Sequence, residues 1–241
     1  MQPLNVLIVG ASGGIGSALS QHILTHTNAN VFATYRRAQP RVQHARLRWY
    51  ALDVTVEDDY SSLTTSLDAE VDHLDWVINC VGVLSINELT PEKSLKAVTS
   101  NNLMTSIQVN TLPTLLLAKY ILPFIRRSDA PRFATISARV GSIDDNELGG
   151  WYSYRCSKAA LNMAVKNISI EWGRLIKRSC TIALHPGTTD TELSLPFQAN
   201  VPEKQLFAPD KTAGLLFHVL ENLRPEDNGR FIAYDGSDIR W

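Results

Sequence analysis

Cysteine is scarce in this sequence and follows no recognisable pattern. Three cysteines, Cys80, Cys156 and Cys180, occur in 241 residues. An odd number at spacings that match no metal motif favours reduced thiols in a cytoplasmic protein over a disulfide framework or a zinc site. The six histidines are scattered along the chain, so we expect no bound metal.

An excess of charge of one sign and long hydrophobic runs are also lacking. The chain has 23 basic and 24 acidic residues, a formal net charge of -1, which argues against nucleic acid or an anionic membrane as partner. No apolar run reaches the roughly 18 residues of a membrane span. Residues 1–5 carry no positively charged leader, so we expect no signal peptide.

Short apolar runs alternate instead with longer helical patterns. Strands are predicted at residues 4–9, 31–35, 46–52, 76–80, 133–136, 180–184 and 230–233, and helices at 13–26, 100–127, 152–176 and 210–223. Near-continuous apolar strands are typical of a parallel sheet covered by helices. We predict a single α/β domain over residues 1–241, with a doubly wound, Rossmann-like sheet of seven parallel strands and helices on both faces. The longest irregular stretch, 187–209, is interpreted as a substrate loop at about 188–209, or else as a solvated excursion.

Glycine is concentrated between the first strand and the first helix. Glycines there allow a tight turn and the close approach of a pyrophosphate to a helix N-terminus. A glycine cluster alone also marks plain turns, but this position in an alternating α/β chain favours a dinucleotide site. The candidate residues are Gly10, Ser12, Gly13, Gly14, Ile15 and Gly16.

The end of the second strand bears on which dinucleotide binds. An acidic residue there favours NAD, and an arginine favours the 2'-phosphate of NADP. The sequence has Tyr35, Arg36 and Arg37 and no carboxylate. Arginine pairs strongly with phosphate, so we predict that NADPH is preferred over NADH. Arg37 taken alone is explained equally well as a solvated surface residue.

Tyr154 and Lys158 are four residues apart near the start of a predicted helix, so both can face one site. Carbonyl reduction needs a proton donor beside the oxygen. A free tyrosine has a pKa near 10, and a nearby ammonium lowers that pKa. The pair is therefore predicted to be catalytic.

Taken together, these motifs resemble the short-chain dehydrogenase/reductase family over essentially the whole chain. The turn is similar to TGxxxGIG, with Val9 in place of the threonine, and the Tyr154–Lys158 pair is similar to YxxxK. The resemblance implies that Asn110 holds a water that links Lys158 to solvent and that Lys158 also binds the nicotinamide ribose. It implies further cofactor contacts from an adenine-binding pair, an NNAG-like turn and a PGxxxT-like turn, namely Asp53, Val54, Asn79, Cys80, Val81, Gly82, Pro186, Gly187, Thr188 and Thr191.

A finer resemblance is to sniffer-type carbonyl reductases and to bacterial C-factor (C-signal) proteins. It rests on residues 150–155, 184–187 and 229–236 and on Trp241. It implies an NADP(H)-dependent oxidoreductase that reduces a small carbonyl compound, or oxidises the alcohol, with Tyr154 as acid/base. The alternative is a C-factor-like cell–cell signalling or dinucleotide-sensing protein with weak or no catalysis. The apolar helix at 100–127, beside the Tyr154 helix, suggests a homodimer or higher homo-oligomer, as is common in the family.

One position departs from the family pattern. The family places a serine after the fifth strand to hydrogen-bond the substrate carbonyl, and Ala138 occupies that position here. Ser137 comes one residue early and is interpreted as a turn or capping residue. Either Ser142 substitutes from four residues later, or the activity is slow, or only dinucleotide binding remains.

Overall fold

The computed structural model describes residues 3–85 and 90–241, without the side chain of Asn200; residues 1–2, the start of the N-terminal segment considered above, lie outside it. The described residues form nine strands: β1 (Asn5–Val9), β2 (Asn30–Tyr35), β3 (Leu47–Ala51), β4 (Trp76–Asn79), β5 (Arg132–Ile136), β6 (Cys180–His185), β7 (Thr188–Thr189), β8 (Leu206–Phe207) and β9 (Phe231–Ala233). Seven of them pair in parallel in the order β3-β2-β1-β4-β5-β6-β9. The predicted seven-stranded α/β sheet is therefore confirmed.

Helices cover both faces of this sheet. They are α1 (Gly14–His26), α2 (Glu57–Asp68), α3 (Ser100–Asn110), α4 (Leu112–Ile125), α5 (Tyr152–Leu175) and α6 (Pro209–Asn222). Successive residues of β1 show the two layers, because side chains alternate between the faces of a strand. Ile8 packs in a core with residues of α1 and α6, while Leu7 packs in a second core with residues of α2, α4 and α5.

The strand order places the site. The chain runs outward from β1 to β3 and then returns to β4 on the other side of β1. At such a reversal the connections leave in opposite directions and open a crevice at the carboxyl ends of the strands. The glycine turn follows β1 at this reversal.

Helix α2 was not predicted from the sequence. Its segment, EDDYSSLTTSLD, is rich in serine and threonine, and only Tyr60, Leu63 and Leu67 are buried. These three form a narrow apolar stripe, and three acidic residues in the first turn favour a helix start there through the helix dipole. The composition of this segment only weakly favours a helix, so packing against α4 stabilises α2.

The prediction of one continuous helix at residues 100–127 is wrong. The structure has two helices there, α3 and α4, with Thr111 between them. Pro113 explains the break, since proline has no backbone N–H to continue the ladder. The segment 188–209 is also less irregular than expected. It contains β7 and β8, which pair with each other, and two short 3-10 turns.

Phe133 lies in the core between β5 and α5, so replacing it tests how much this packing stabilises the fold. Its side chain is 1% exposed and meets the Trp172 ring edge-on, with the ring centroids 5.3 Å apart. We expect Phe133→Ala to lower the free energy of unfolding by about 3–5 kcal/mol through lost burial and a cavity. Leu148→Ala, at a side chain that is 91% exposed, is the control and should change it little. Urea unfolding followed by fluorescence or circular dichroism measures both.

Candidate active site

Two adjoining cavities lie at the carboxyl edge of the sheet. The large cavity, about 650 Å³, is lined by the glycine turn and the end of β2. The small cavity, about 240 Å³, is lined by Tyr154, Lys158 and the segment after β6. Both are bounded by the same set of residues, Ile15, Cys80, Val81, Gly82, Thr191 and Leu193. They therefore form one continuous cleft.

Two positions of the glycine turn, Gly10 and Gly16, have no room for a side chain. Gly10 has a φ of +78°, and a Cβ on it would lie 2.9 Å from Val81 Cγ2. A Cβ on Gly16 would overlap the carbonyl oxygen of Gly10. The start of α1 carries no side-chain cap, because Gly13 is the N-cap residue. Its first N–H groups and the helix dipole thus suit an anion such as a pyrophosphate in the large cavity.

Only some of the residues predicted to bind the adenosine half of the dinucleotide line the large cavity. Tyr35, Arg36 and Val54 line the large cavity, whereas Arg37 and Asp53 do not. The Asp53 carboxylate accepts hydrogen bonds from the backbone N–H and the hydroxyl of Thr55 at 3.0 and 2.7 Å. These bonds hold the pKa of Asp53 below its usual range. Asp53 thus shapes the turn after β3.

Asn79 and Asn110 also act on the backbone of the cleft without lining it. The Asn79 side chain accepts from Val81 N–H at 3.1 Å and donates to Thr114 Oγ1 at 2.9 Å. Asn110 Oδ1 accepts from Val83 N–H at 2.7 Å, and its Nδ2 donates to Val83 O and Ser157 Oγ at 3.0 and 2.9 Å. Asn110 thereby fastens the segment after β4 to α5. Its role in holding a water stays a prediction.

Tyr154 and Lys158 are brought together on α5, as their spacing predicts. Both line the small cavity, and Lys158 Nζ lies 5.8 Å from the centre of the Tyr154 ring. Lys158 Nζ also donates to the carbonyl oxygen of Ile136 at 3.0 Å. The pair is thus held over the carboxyl end of β5.

Burial shifts the pKa values of both members of this pair. Burial raises the pKa of Tyr154 above its usual range and lowers the pKa of Lys158 to about 8. In the protein's own groups burial alone shifts the Tyr154 pKa, so a lowering of that pKa by Lys158 is not seen there and stays a prediction. The Tyr154 hydroxyl stays protonated at neutral pH and can act as an acid.

Of the two serine residues after β5, Ser137 lines the small cavity with Tyr154 and Lys158, and Ser142 does not. Ser137 Oγ donates to Asn162 Oδ1 on α5 at 2.6 Å, so its role is to fasten β5 to that helix. Ala138 lines the small cavity without a hydroxyl. Ser142 is buried, and its Oγ accepts from Asp145 N–H at 3.1 Å. The structure therefore does not bring Ser142 to the lining of the cleft.

Comparison with known proteins agrees with this geometry. Residues 4–201 match the family model of the short chain dehydrogenases. The chain belongs to the short-chain dehydrogenase family. Among its curated relatives, C-signal of Myxococcus xanthus is 38% identical over 133 residues, 55% of this chain and 75% of the relative. The 1-hydroxy-2-glutathionyl-2-methyl-3-butene dehydrogenase of Rhodococcus sp. (strain AD45) is 28% identical over 236 residues, 98% of this chain and 99% of the relative.

Solved structures show the same fold. The carbonyl reductase Sniffer of D. melanogaster superposes with a TM-score of 0.86 at 24% identity, with 100% of both chains covered. An NADPH-bound carbonyl reductase from chicken fatty liver superposes with a TM-score of 0.85 at 28% identity, again with 100% of both chains covered. The resemblance to the short-chain dehydrogenases, to sniffer-type reductases and to C-signal proteins is thus confirmed.

Trp151 is a cleft residue of this short-chain dehydrogenase that the sequence analysis missed. It lines the small cavity, and its ring lies 6.2 Å from Tyr154 and 5.1 Å from Phe197 between centroids. Its backbone is left-handed, with φ +50°, directly after two glycines that also have positive φ. Such strain in a non-glycine residue is costly and is found mostly at functional sites. The signal in the sequence is the Gly149-Gly150 pair.

Glu92 is a second missed residue, and it holds the start of α5. It is 3% exposed. Its carboxylate accepts from the Ser153 hydroxyl, from Ser153 N–H at 3.1 Å and from Asn102 Nδ2 at 3.3 Å. Its backbone oxygen accepts from Trp151 N–H at 2.6 Å. Burial raises the pKa of Glu92, but these bonds outweigh it and bring the pKa below its usual value.

Glu92→Gln is expected to lower the free energy of unfolding by about 1–3 kcal/mol at neutral pH, since charge-assisted hydrogen bonds are lost. A carboxyl pKa that is lower in the folded state stabilises the protein above the unfolded value, near 4.3. That contribution disappears as the pH falls through the folded value. The difference between parent and variant should therefore shrink on acidification in urea titrations from pH 7 to pH 3. Glu147→Gln, at an exposed residue, is the control, and a pH-independent difference would contradict the assignment.

Proposed function

We propose that this protein is an NADP(H)-dependent oxidoreductase that reduces a small carbonyl compound, or oxidises the corresponding alcohol. The observation that carries the proposal is the continuity of the cleft. The cavity that holds Tyr154 and Lys158 opens directly into the cavity lined by the glycine turn and Arg36. A reactive group and a dinucleotide site are thereby placed end to end.

The dinucleotide is proposed to lie along the carboxyl edge of the sheet. Its pyrophosphate would bind at the start of α1, and a 2'-phosphate would pair with Arg36. The turn at Pro186 and Gly187, with Thr188, would hold the nicotinamide end beside Lys158. The NADPH-bound chicken reductase, 28% identical over the whole chain, supports this placement.

The nicotinamide, when bound, supplies the hydride that adds to the carbonyl carbon. As the C=O bond becomes a single bond, its oxygen takes the proton of the Tyr154 hydroxyl. The raised pKa of Tyr154 keeps that proton in place until negative charge develops on the substrate oxygen. Lys158 lies beside the ring and, while protonated, stabilises the tyrosinate that results.

Substrate is proposed to enter beneath the segment 188–209. Leu193, Phe197 and Val201 of this segment line the small cavity together with Val140 and Trp151. A cavity of about 240 Å³ with these walls suits a small, largely apolar carbonyl compound.

The cytoplasm is the proposed location, supported by Cys80, Cys156 and Cys180, which are free thiols. Among the described residues, no helix is long and apolar enough to cross a membrane.

Tyr154→Phe tests the reaction. Without the hydroxyl no proton reaches the substrate oxygen, so we expect reduction across a panel of aldehydes and ketones to fall by at least about 100-fold. NADPH binding, followed by fluorescence titration, should be unchanged. Tyr152→Phe, two residues earlier and outside the cavity lining, is the matched control. A Tyr154→Phe protein as fast as the parent would refute the mechanism.

Arg36→Ala tests the cofactor. A charge-assisted hydrogen bond to phosphate is worth enough that its loss weakens binding roughly tenfold or more. We therefore expect the Kd for NADPH to rise by at least that factor while the Kd for NADH stays the same. Arg41→Ala, at an exposed arginine outside the cavity, provides the comparison. Equal weakening of both cofactors would contradict a 2'-phosphate contact.

A signalling or dinucleotide-sensing role is the second candidate. It is favoured by the 38% identity to C-signal of Myxococcus xanthus and by the lack of a hydroxyl at Ala138 in the cavity wall. Micromolar NADPH binding without turnover in a broad carbonyl and alcohol screen would support this role over the reductase.

A homodimer or higher homo-oligomer is proposed to form through the outer faces of the helices around α4. Apolar side chains are exposed there at Met104, Leu112, Leu115, Met163 and Ile170, which is typical of an association surface. Sedimentation at micromolar concentration should give at least twice the chain mass, and Leu115→Asp should shift the protein towards the monomer. A monomeric parent would contradict this assembly.

A further inference from the structure

The walls of the small cavity offer few groups that can stabilise a negative oxygen. Hydrogen-bond donors aimed at the developing charge are commonly the largest contribution to such a reaction. Tyr154 supplies one donor. On the β5 side, the Ser137 hydroxyl is already bonded to Asn162 at 2.6 Å, and Ala138 and Val140 carry no donor in their side chains. The Thr189, Thr191 and Ser194 hydroxyls, which also line this cavity, are hydrogen-bonded to Thr212 Oγ1 or to the carbonyl oxygen of Thr189. With Thr188 assigned to the nicotinamide end, His185 and Arg139 are left to supply a second donor.

His185, at the end of β6, lies beside Ser137, which follows the neighbouring strand β5. Ile136 pairs with Leu184 in the parallel register, and Ser137 N–H donates to Leu184 O at 2.7 Å. The residues that follow these two strand ends are thus side by side. His185 lines the small cavity together with Ala138 and Tyr154. Its ring is therefore within the same cavity as the proposed proton donor.

The contacts of His185 decide which of its nitrogens carries the proton. Burial, reinforced by the positive charge of Arg139, lowers the pKa of His185 to about 4, so the ring is neutral near pH 7. Nδ1 accepts from the backbone N–H of Arg139 at 3.4 Å. A neutral imidazole that accepts at Nδ1 carries its hydrogen on Nε2.

The Nε2–H group is available to a ligand. Within residues 3–85 and 90–241, Nε2 of His185 makes no hydrogen bond. It is also not one of the fully buried atoms without a partner, so it remains accessible. The Arg139 guanidinium is the neighbouring alternative, but it lies 3.5 Å from the Asp145 carboxylate and is 47% exposed. The imidazole is thus the less solvated and less committed donor.

We propose that His185 is a further catalytic residue, whose Nε2–H donates a hydrogen bond to the carbonyl oxygen of the substrate beside the Tyr154 hydroxyl. No proton leaves His185 in this step, because Tyr154 supplies it. The proposal rests on the reductase function proposed above. It assigns the second donor of the cleft to β6.

Kinetics of three His185 and Ala138 variants test the assignment. His185→Leu is expected to lower kcat by about 100-fold with an unchanged Kd for NADPH, which also shows that the variant folds. His185→Gln keeps a side-chain N–H and should retain more activity than His185→Leu. Adding Ala138→Ser to His185→Leu should restore part of the rate by supplying a hydroxyl. The matched control is His218→Leu, at an exposed histidine of α6 outside the cavity, which should match the parent.

A measurement independent of turnover accompanies the kinetics. Imidazole ¹⁵N spectra, assigned by the signals missing in His185→Leu, should show a neutral ring with hydrogen on Nε2 from pH 6 to pH 8. Hydrogen on Nδ1, or a charged ring at pH 7, would overturn the proposal. A His185→Leu variant as fast as the parent would also overturn the proposal. The same would follow if kcat fell about 100-fold in Trp151→Phe and not in His185→Leu. If the parent protein reduces no carbonyl compound, the reductase function itself is refuted. If activity is lost in Tyr154→Phe but not in His185→Leu, only the role of His185 is refuted.

Discussion

The close approach of α5 to the turn that follows β5 is the contact on which the rest of the site depends. A Cβ on Gly141 would lie 2.8 Å from the Cβ of Lys158, so only glycine allows the helix to sit this near to the sheet. Asn162 Nδ2 donates to Gly141 O at 3.1 Å, and Lys158 Nζ donates to Ile136 O at 3.0 Å. Because Tyr154 and Lys158 both belong to α5, this contact sets the position of both at the carboxyl edge of the sheet.

The start of the same helix is held by a buried carboxylate. Burying a charge is costly unless hydrogen bonds replace its hydration, and Glu92 receives them from Ser153 and Asn102. The bond from Trp151 N–H to Glu92 O helps to hold the left-handed backbone of Trp151. Strain in one residue is thereby compensated by a network around it. Since a misplacement of about 1 Å can reduce catalysis greatly, an anchor at Ser153, the residue directly before Tyr154, bears directly on function.

Four polar side chains around the cleft bond to the protein's own groups. Asn79, Asn110, Ser137 and Asn162 all hold strand ends or turns in place. This leaves the small cavity with apolar walls and a few free donors, where each hydrogen bond to a substrate counts for more than it would in water. The scarcity of donors in the wall next to Ala138 is what gives His185 its importance.

The sequence by itself determined the parallel α/β architecture, the glycine turn and the juxtaposition of Tyr154 with Lys158. These follow from local pattern, because apolar runs, glycine spacing and a four-residue helical interval are properties of neighbouring residues. Only the tertiary structure decided that α2 is a helix, that Arg36 and not Arg37 lines the cleft, and that the Ser142 hydroxyl bonds to Asp145 N–H. It also decided that Glu92 holds the start of α5 and that Trp151 and His185 line the small cavity. Most of these depend on contacts between segments far apart in the chain, where burial and the choice of hydrogen-bond partner are set by packing and not by spacing.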